Sequence, residues 1–167
     1  MGSIDDIIEQ VGLERDICRT QASFYEEAAR DGCDMHVFSD RYLASRFCRN
    51  RMQTRYSSFQ REDARTCLEF IYPETGFPES MPFSRDRDVI FSPDIAYWLG
   101  YTYHQLYCET GTEGRELAEK VPFEKLVLNY PAHHTLDEIY STDMLCRYYG
   151  LEKDAEHKEY GIYLDNL

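Results

Sequence analysis

Between Ser92 and Gly111 the chain carries its most apolar segment, PDIAYWLGYTYHQLYCET, and both ends of it are punctuated. Ser92 is a good N-cap, Pro93 suits the first helical position, where a missing N–H is no loss, and Asp94 sets a negative charge on the positive end of the helix dipole. Gly111 fits the position just past the C-terminus. Ile95, Trp98, Leu99, Thr102 and Leu106 fall on one broad face at helical spacing. A helix this apolar has to be covered by other elements, so it predicts the central helix of a packed bundle.

The flanking sequence supplies the covering helices. Ser3 with Asp6 resembles a capping box and opens a helix carrying Ile4, Ile7, Ile8 and Val11, which Gly12 is expected to end or bend. A second helix is expected over about 14–31, with Ile17, Phe24 and Ala28 inward and Gly32 after its end. A broken apolar stripe follows over 34–54, with Phe38, Tyr42, Leu43, Phe47 and Cys48. Ser57 with Gln60 reads as the start of a helix in which Ala64, Cys67, Leu68 and Ile71 recur at i, i+3, i+4 and i+7. Residues 73–91, with Pro73, Gly76, Pro78 and Pro82, read as one long surface loop. Beyond Gly111, short helices are expected at about 113–120 and, opened by Pro122, at 122–130. Thr135 with Glu138 reads as a capping box for a last helix carrying Ile139, Met144 and Leu145 and ending at Gly150.

The expectation is an all-α, single-domain bundle of about six to eight helices over residues 1–150, with 151–167 as a polar C-terminal tail. A length of 167 residues and a hydrophobic fraction of 43% suit one domain with a real core. The longest apolar run, around Ile95–Tyr101, is too short to cross a membrane. The six cysteines form no CxxC pair and no secretory apolar run precedes them, so reduced core thiols in a cytoplasmic setting are expected.

Charge is the more informative signal for function. A net charge of −13 disfavours general binding to nucleic acid or to anionic lipid. Yet residues 41–65 hold Arg41, Arg46, Arg49, Arg51, Arg55, Arg61 and Arg65 against only Glu62 and Asp63. Internal pairing with carboxylates is the plainer expectation. The sharper one is a binding strip for an acidic partner helix or a phosphorylated ligand, because guanidinium offers planar, bidentate donors and Tyr42, Phe47, Tyr56 and Phe59 lie among the arginines. Tyr97, Tyr101, Tyr103 and Tyr107 cannot all face one core, so some are expected at the surface, where Tyr and Arg serve as binding anchors.

No reaction is specified. His133 and His134 are adjacent and point in different directions, and no third ligand has a defensible spacing, so no metal site and no cofactor are expected. His36, His104 and His157 are isolated and read as surface or packing residues. There is no phosphate-binding glycine loop and no nucleophile elbow.

The segments RYLASRFCRNRMQTRYSSFQ, DIAYWLGYTYHQLYCETG and NYPAHHTLDEIY together resemble an uncharacterised family of small helical proteins from Gram-positive bacteria. Its marks are a WLGY-x-Y helix ending in TG, a short helix, and an HTLD turn before the last helix. The likeness spans about residues 38–147. It implies a gene beside ADP-ribosyltransferase-type toxins and brings no catalytic residues. The function expected is a non-enzymatic, protein-binding component of a bacterial toxin–antitoxin-like module, with the neighbouring toxin as partner. Arg46, Arg49 and Arg51 would hold acidic or phosphorylated groups, and Tyr97, Trp98 and Tyr101 would supply aromatic contact. The alternatives are an enzyme acting on a nucleotide or ADP-ribosylated substrate, using the Arg cluster with His133 and His134, and an acidic decoy of nucleic acid. A pocket lined by the Arg strip would favour ligand binding; a flat apolar patch would favour a protein partner.

Overall fold

A computed structural model describes residues 3–79 and 92–154. The chain is an all-α bundle: α1 (Ile4–Arg30), α2 (Met35–Leu43), α3 (Ala64–Thr75), α4 (Pro93–Thr110), α5 (Gly114–Lys120), α6 (Phe123–His133) and α7 (Glu138–Tyr149). A π-helical turn at Cys48–Met52 and a 3-10 turn at Ser58–Arg61 link α2 to α3. No strand occurs among the described residues.

The expected central helix is central. α4 is capped by the Ser92 hydroxyl, begins at Pro93 and ends on Gly111 in the left-handed conformation, φ 69°. It packs along α1, and the two helices are in tight contact at Gly100. A Cβ there would sit 2.8 Å from Tyr25 Cγ and 2.9 Å from the Gln21 carbonyl oxygen. The Gln21 amide donates to the Gly100 carbonyl at 2.8 Å and accepts from Tyr42 at 2.5 Å, so one buried side chain ties α1, α2 and α4 together. Around it Phe24, Tyr25, Phe38, Tyr42 and Tyr103 form an aromatic core. Its hydroxyls are satisfied by Ser39 from Tyr25 and by the Val121 carbonyl from Tyr103, as buried phenols require. α5 is held as closely: a Cβ on Gly114 would lie 2.0 Å from the Leu43 carbonyl oxygen.

Several boundaries differ from the sequence reading. α1 is one continuous helix of 27 residues, because Gly12 is exposed with open space around it and a single interior glycine costs a helix only about 1 kcal/mol. The Ser57–Gln60 capping box is present but opens the 3-10 turn, and α3 takes Asp63 as its own cap. Pro73 lies inside α3, not in a loop. Its helix end is secured from outside: Arg41 donates to the Thr75 carbonyl at 2.8 Å, and the Glu74 carboxylate accepts the backbone N–H groups of Arg46 and Phe47 at 3.0 and 2.9 Å. The remainder of the expected loop, 80–91, lies outside the described residues. α6 runs through Pro131 to His133. α7 is capped by Asp137, which accepts from Ile139 and Tyr140, rather than by Thr135. It buries Ser141, Thr142, Leu145 and Cys146, leaving Ile139 and Met144 61% and 40% exposed.

The expected tail is docked at its start. Leu151 is buried, Lys153 pairs with Asp143 at 3.3 Å, and the Asp154 N–H donates to the Glu109 carbonyl at 3.0 Å. Residues 155–167, including His157, lie outside the described residues. All six cysteines are buried with free thiols. No helix among the described residues is long and apolar enough to cross a membrane.

Candidate functional site

Residues 53–57 lie outside helical turns, and their polar backbone groups must find partners elsewhere. Gln60, a buried side chain, supplies them. Its amide donates to the carbonyls of Met52 and Thr54 at 3.3 and 2.8 Å, its oxygen accepts the Ser57 N–H, and its own carbonyl accepts the Thr20 hydroxyl of α1 at 2.7 Å. This network holds residues 52–61 as a wall anchored to α1 through Thr20. Between that wall, α1 and the last turns of α4 lies a cleft of about 900 Å³.

The cleft has a graded character. Leu13 and Ile17 of α1, Met52, and Tyr107 and His104 of α4 give it an apolar and aromatic lining. Thr54, Ser57 and Ser58 add hydroxyls, and Arg55 and Arg61 bring positive charge. Tyr107 is half-buried, and burial pushes its phenol up to about 12, so it stays protonated at neutral pH. Arg61 reaches Asp16 only at 3.5 Å in an exposed pair. Arg55 makes no ion pair among the described residues and stands 5.7 Å over the ring of Tyr56, itself 78% exposed.

His104 is the unusual member. It is 1% exposed, and among the described residues its Nδ1 has no hydrogen-bond partner and its one ring neighbour is Tyr107, at 5.5 Å between centroids. Burying a polar group without a partner costs about 1–3 kcal/mol. An imidazole in this position is therefore a strained choice for packing alone, and it lines the cleft. Sequence reading passed over His104 as isolated. The one available signal was its place in the most apolar helix, one residue after the core Tyr103.

The structure separates the residues singled out from sequence. Arg46 is spent on Glu74, at 3.3 Å. Arg49 is exposed and has no ion pair among the described residues, and Arg51 lies 5.4 Å over the Phe59 ring. Tyr97 is half-buried, and Trp98 sets its edge against Tyr130 at 5.7 Å. Tyr130 in turn stacks on His134 at 4.3 Å, and the His134 Nδ1 contacts the Tyr130 carbonyl. His133 pairs through Nδ1 with Ser141 at 2.8 Å. Tyr101 faces α7, where burial foremost, with a hydrogen bond to Glu138, raises its phenol well above the usual range. No hydrogen bond, ion pair or ring contact joins the Arg46–Arg51 group to the Tyr97–His134 group, so these residues form no single constellation.

Across residues 41–65 the pairing expectation holds for some of the arginines and not for others. Arg46, Arg61 and Arg65 meet carboxylates, Arg65 most firmly, on Glu27 and Asp31 at 2.8 and 2.6 Å. Arg49, Arg51 and Arg55 have none among the described residues. Of the interleaved rings Tyr42 and Phe47 are core, Phe59 is half-buried and Tyr56 is outside.

Thiolate chemistry is disfavoured. Burial raises Cys33, Cys48 and Cys67 to about 12 and Cys146 to about 11, and it raises Cys18 further, with the neighbouring Cys108 thiol adding to the effect. Among the described residues no group of three or more His, Cys, Asp or Glu side chains is placed to hold a metal ion.

A second surface feature lies on α7. Tyr140, Met144 and Tyr148 are exposed at four-residue spacing, Leu136 continues the row before the helix, and Ile139 stands beside it. No family model, no curated protein and no solved structure matches this chain.

Proposed function

We propose that this chain is a binding protein whose ligand is a small molecule held in the cleft between α1, residues 52–61 and the end of α4. The observation that carries the proposal is His104, a buried imidazole with an unpartnered nitrogen at the wall of a cleft large enough for a drug-sized molecule. Hydrogen bonding from a ligand would satisfy a ring that the fold itself leaves unsatisfied. A fragment screen followed by two-dimensional NMR tests this: ligand-induced shifts should cluster on the His104 ring and the Met52 methyl group. Hits that map elsewhere, or none at all, would remove the proposal.

A protein partner is a second reading, and a separate observation favours it. The exposed row Leu136, Tyr140, Met144 and Tyr148 is an uncovered apolar and aromatic helix face of the kind that docks against another chain. It is compatible with the non-enzymatic, toxin–antitoxin-like role that the family resemblance implies. Co-expression with the neighbouring gene product should give a complex on size exclusion that Tyr140→Ser with Met144→Ser disrupts. Absence of a complex, with the neighbour's toxicity unchanged, would remove this reading.

A further inference from the structure

We infer that the ligand of the cleft is a ring-bearing anion: a flat apolar or aromatic body carrying a carboxylate or phosphate. The inference rests on the cleft being a ligand site and adds the class of ligand.

The anionic part follows from Arg55. In a chain with 31 acidic and 18 basic residues, carboxylates are in excess. Arg46, Arg61 and Arg65 of the same stretch reach across the fold to find them. Arg55 lines the cleft and has no carboxylate partner among the described residues. Arg61, on the same wall, is held only by one long, exposed pair and can turn to a stronger acceptor. Glu14 is the one carboxylate lining the cleft, and the Gln10 amide donates to it at 3.4 Å. Arg61 is offset by Asp16, so the Arg55 guanidinium is the charge at the cleft that a ligand anion would meet, on a molecule of net charge −13. Such a site selects an anion and repels little of it, and the fork of a guanidinium fits the paired oxygens of carboxylate or phosphate.

The ring follows from the depth of the cleft. Leu13, Ile17 and Met52 offer apolar surface, and Tyr107 offers a ring face beside His104. A flat body can lie against these groups with one polar edge toward the imidazole, as dispersion and aromatic stacking favour. Acyl chains would leave His104 unsatisfied, and an inorganic anion would leave the apolar lining wet.

The test uses charge-matched probe pairs by isothermal titration calorimetry on the full chain: adenosine 5′-monophosphate against adenosine, and indole-3-acetate against indole-3-acetamide. The anionic member of at least one pair should bind about 10-fold or more tightly than its neutral partner, the size of one charge-assisted hydrogen bond. Arg55→Gln should remove that difference while leaving the neutral probe unchanged, and it should fold, because Arg55 is exposed. Which pair responds tells phosphate from carboxylate. Equal binding of charged and neutral probes, an unaltered anion affinity in Arg55→Gln, or no binding of either anion at millimolar concentration overturns the inference. The first two outcomes would do so with cleft binding intact. NMR shifts absent from His104 and Met52 would instead refute the cleft as a site.

Discussion

Gly100→Ala and Gly12→Ala are the same chemical change in the interiors of two helices, and the structure assigns them opposite signs. At Gly100 the added methyl would lie 2.8 Å from Tyr25 Cγ, 2.9 Å from Tyr25 Cβ and 2.9 Å from the Gln21 carbonyl oxygen. Ordinary carbon contacts lie at about 3.5–4.0 Å, so roughly 1 Å of local separation is required. Tyr25 cannot supply it. Its side chain is fully buried, its hydroxyl is bonded to Ser39 at 2.8 Å, and its ring packs edgewise on Phe38 and Tyr42 at 5.3 and 5.6 Å. α1 and α4 must therefore part, stretching the buried Gln21 to Gly100 hydrogen bond. Overpacking costs about 1–3 kcal/mol and the weakened hydrogen bond about 1, against a helix-propensity gain of up to about 1. The net is a loss of about 2 kcal/mol. At Gly12 nothing lies within 4 Å, and only the propensity gain of about 0.5–1 kcal/mol remains. For a chain of this size those values correspond to melting temperatures about 4–8 °C lower and about 1–4 °C higher than wild type. Urea titration followed by far-ultraviolet circular dichroism, alongside thermal melts, measures both. If Gly100→Ala matched or exceeded wild-type stability, α1 and α4 could not approach as closely as described.

Three further outcomes are expected. Arg65 hydrogen bonding foremost, helped by Tyr72 and against burial, holds the Asp31 carboxyl below the usual range, so its stabilisation is present above the unfolded carboxyl range near pH 4 and is lost as pH falls through the folded value. Asp31→Asn should thus cost about 1 kcal/mol at pH 7, after screening at the exposed Arg65, and the gap from wild type should narrow as pH falls below the usual carboxylate range; a pH-independent gap would refute the ion-pair origin. Glu74→Ala removes the acceptor for the Arg46 and Phe47 N–H groups and should cost about 1–2 kcal/mol in urea titration, more than Arg46→Ala, whose side-chain pair is exposed. The six buried thiols should resist Ellman's reagent in the folded protein and all react in denaturant, and rapid labelling of any one of them in the native state would contradict the packing described.

The local chemistry of the chain settled where helices begin and which face they bury. Ser3 and Ser92 cap as written, Gly111 and Gly150 terminate as written, and the 3.6-residue spacing in α3 and α4 places Leu68, Ile71, Leu99 and Leu106 in the core. These are effects within one turn of helix, so neighbours in sequence suffice. Tertiary contacts decided what local signals left balanced. α3 passes Pro73 because Arg41 and the backbone at residues 46 and 47 hold its end, and α1 passes Gly12 because one glycine is too weak to break a long helix. The partners of Arg46, Arg61 and Arg65 lie 28, 45 and 34 residues away in sequence, and no periodicity encodes such distances. The cleft belongs wholly to this second class. It exists because the Gln60 hydrogen bonds shape residues 52–61 and anchor them to α1, and only that fold brings Arg55 to the same opening as a histidine from the far half of the chain.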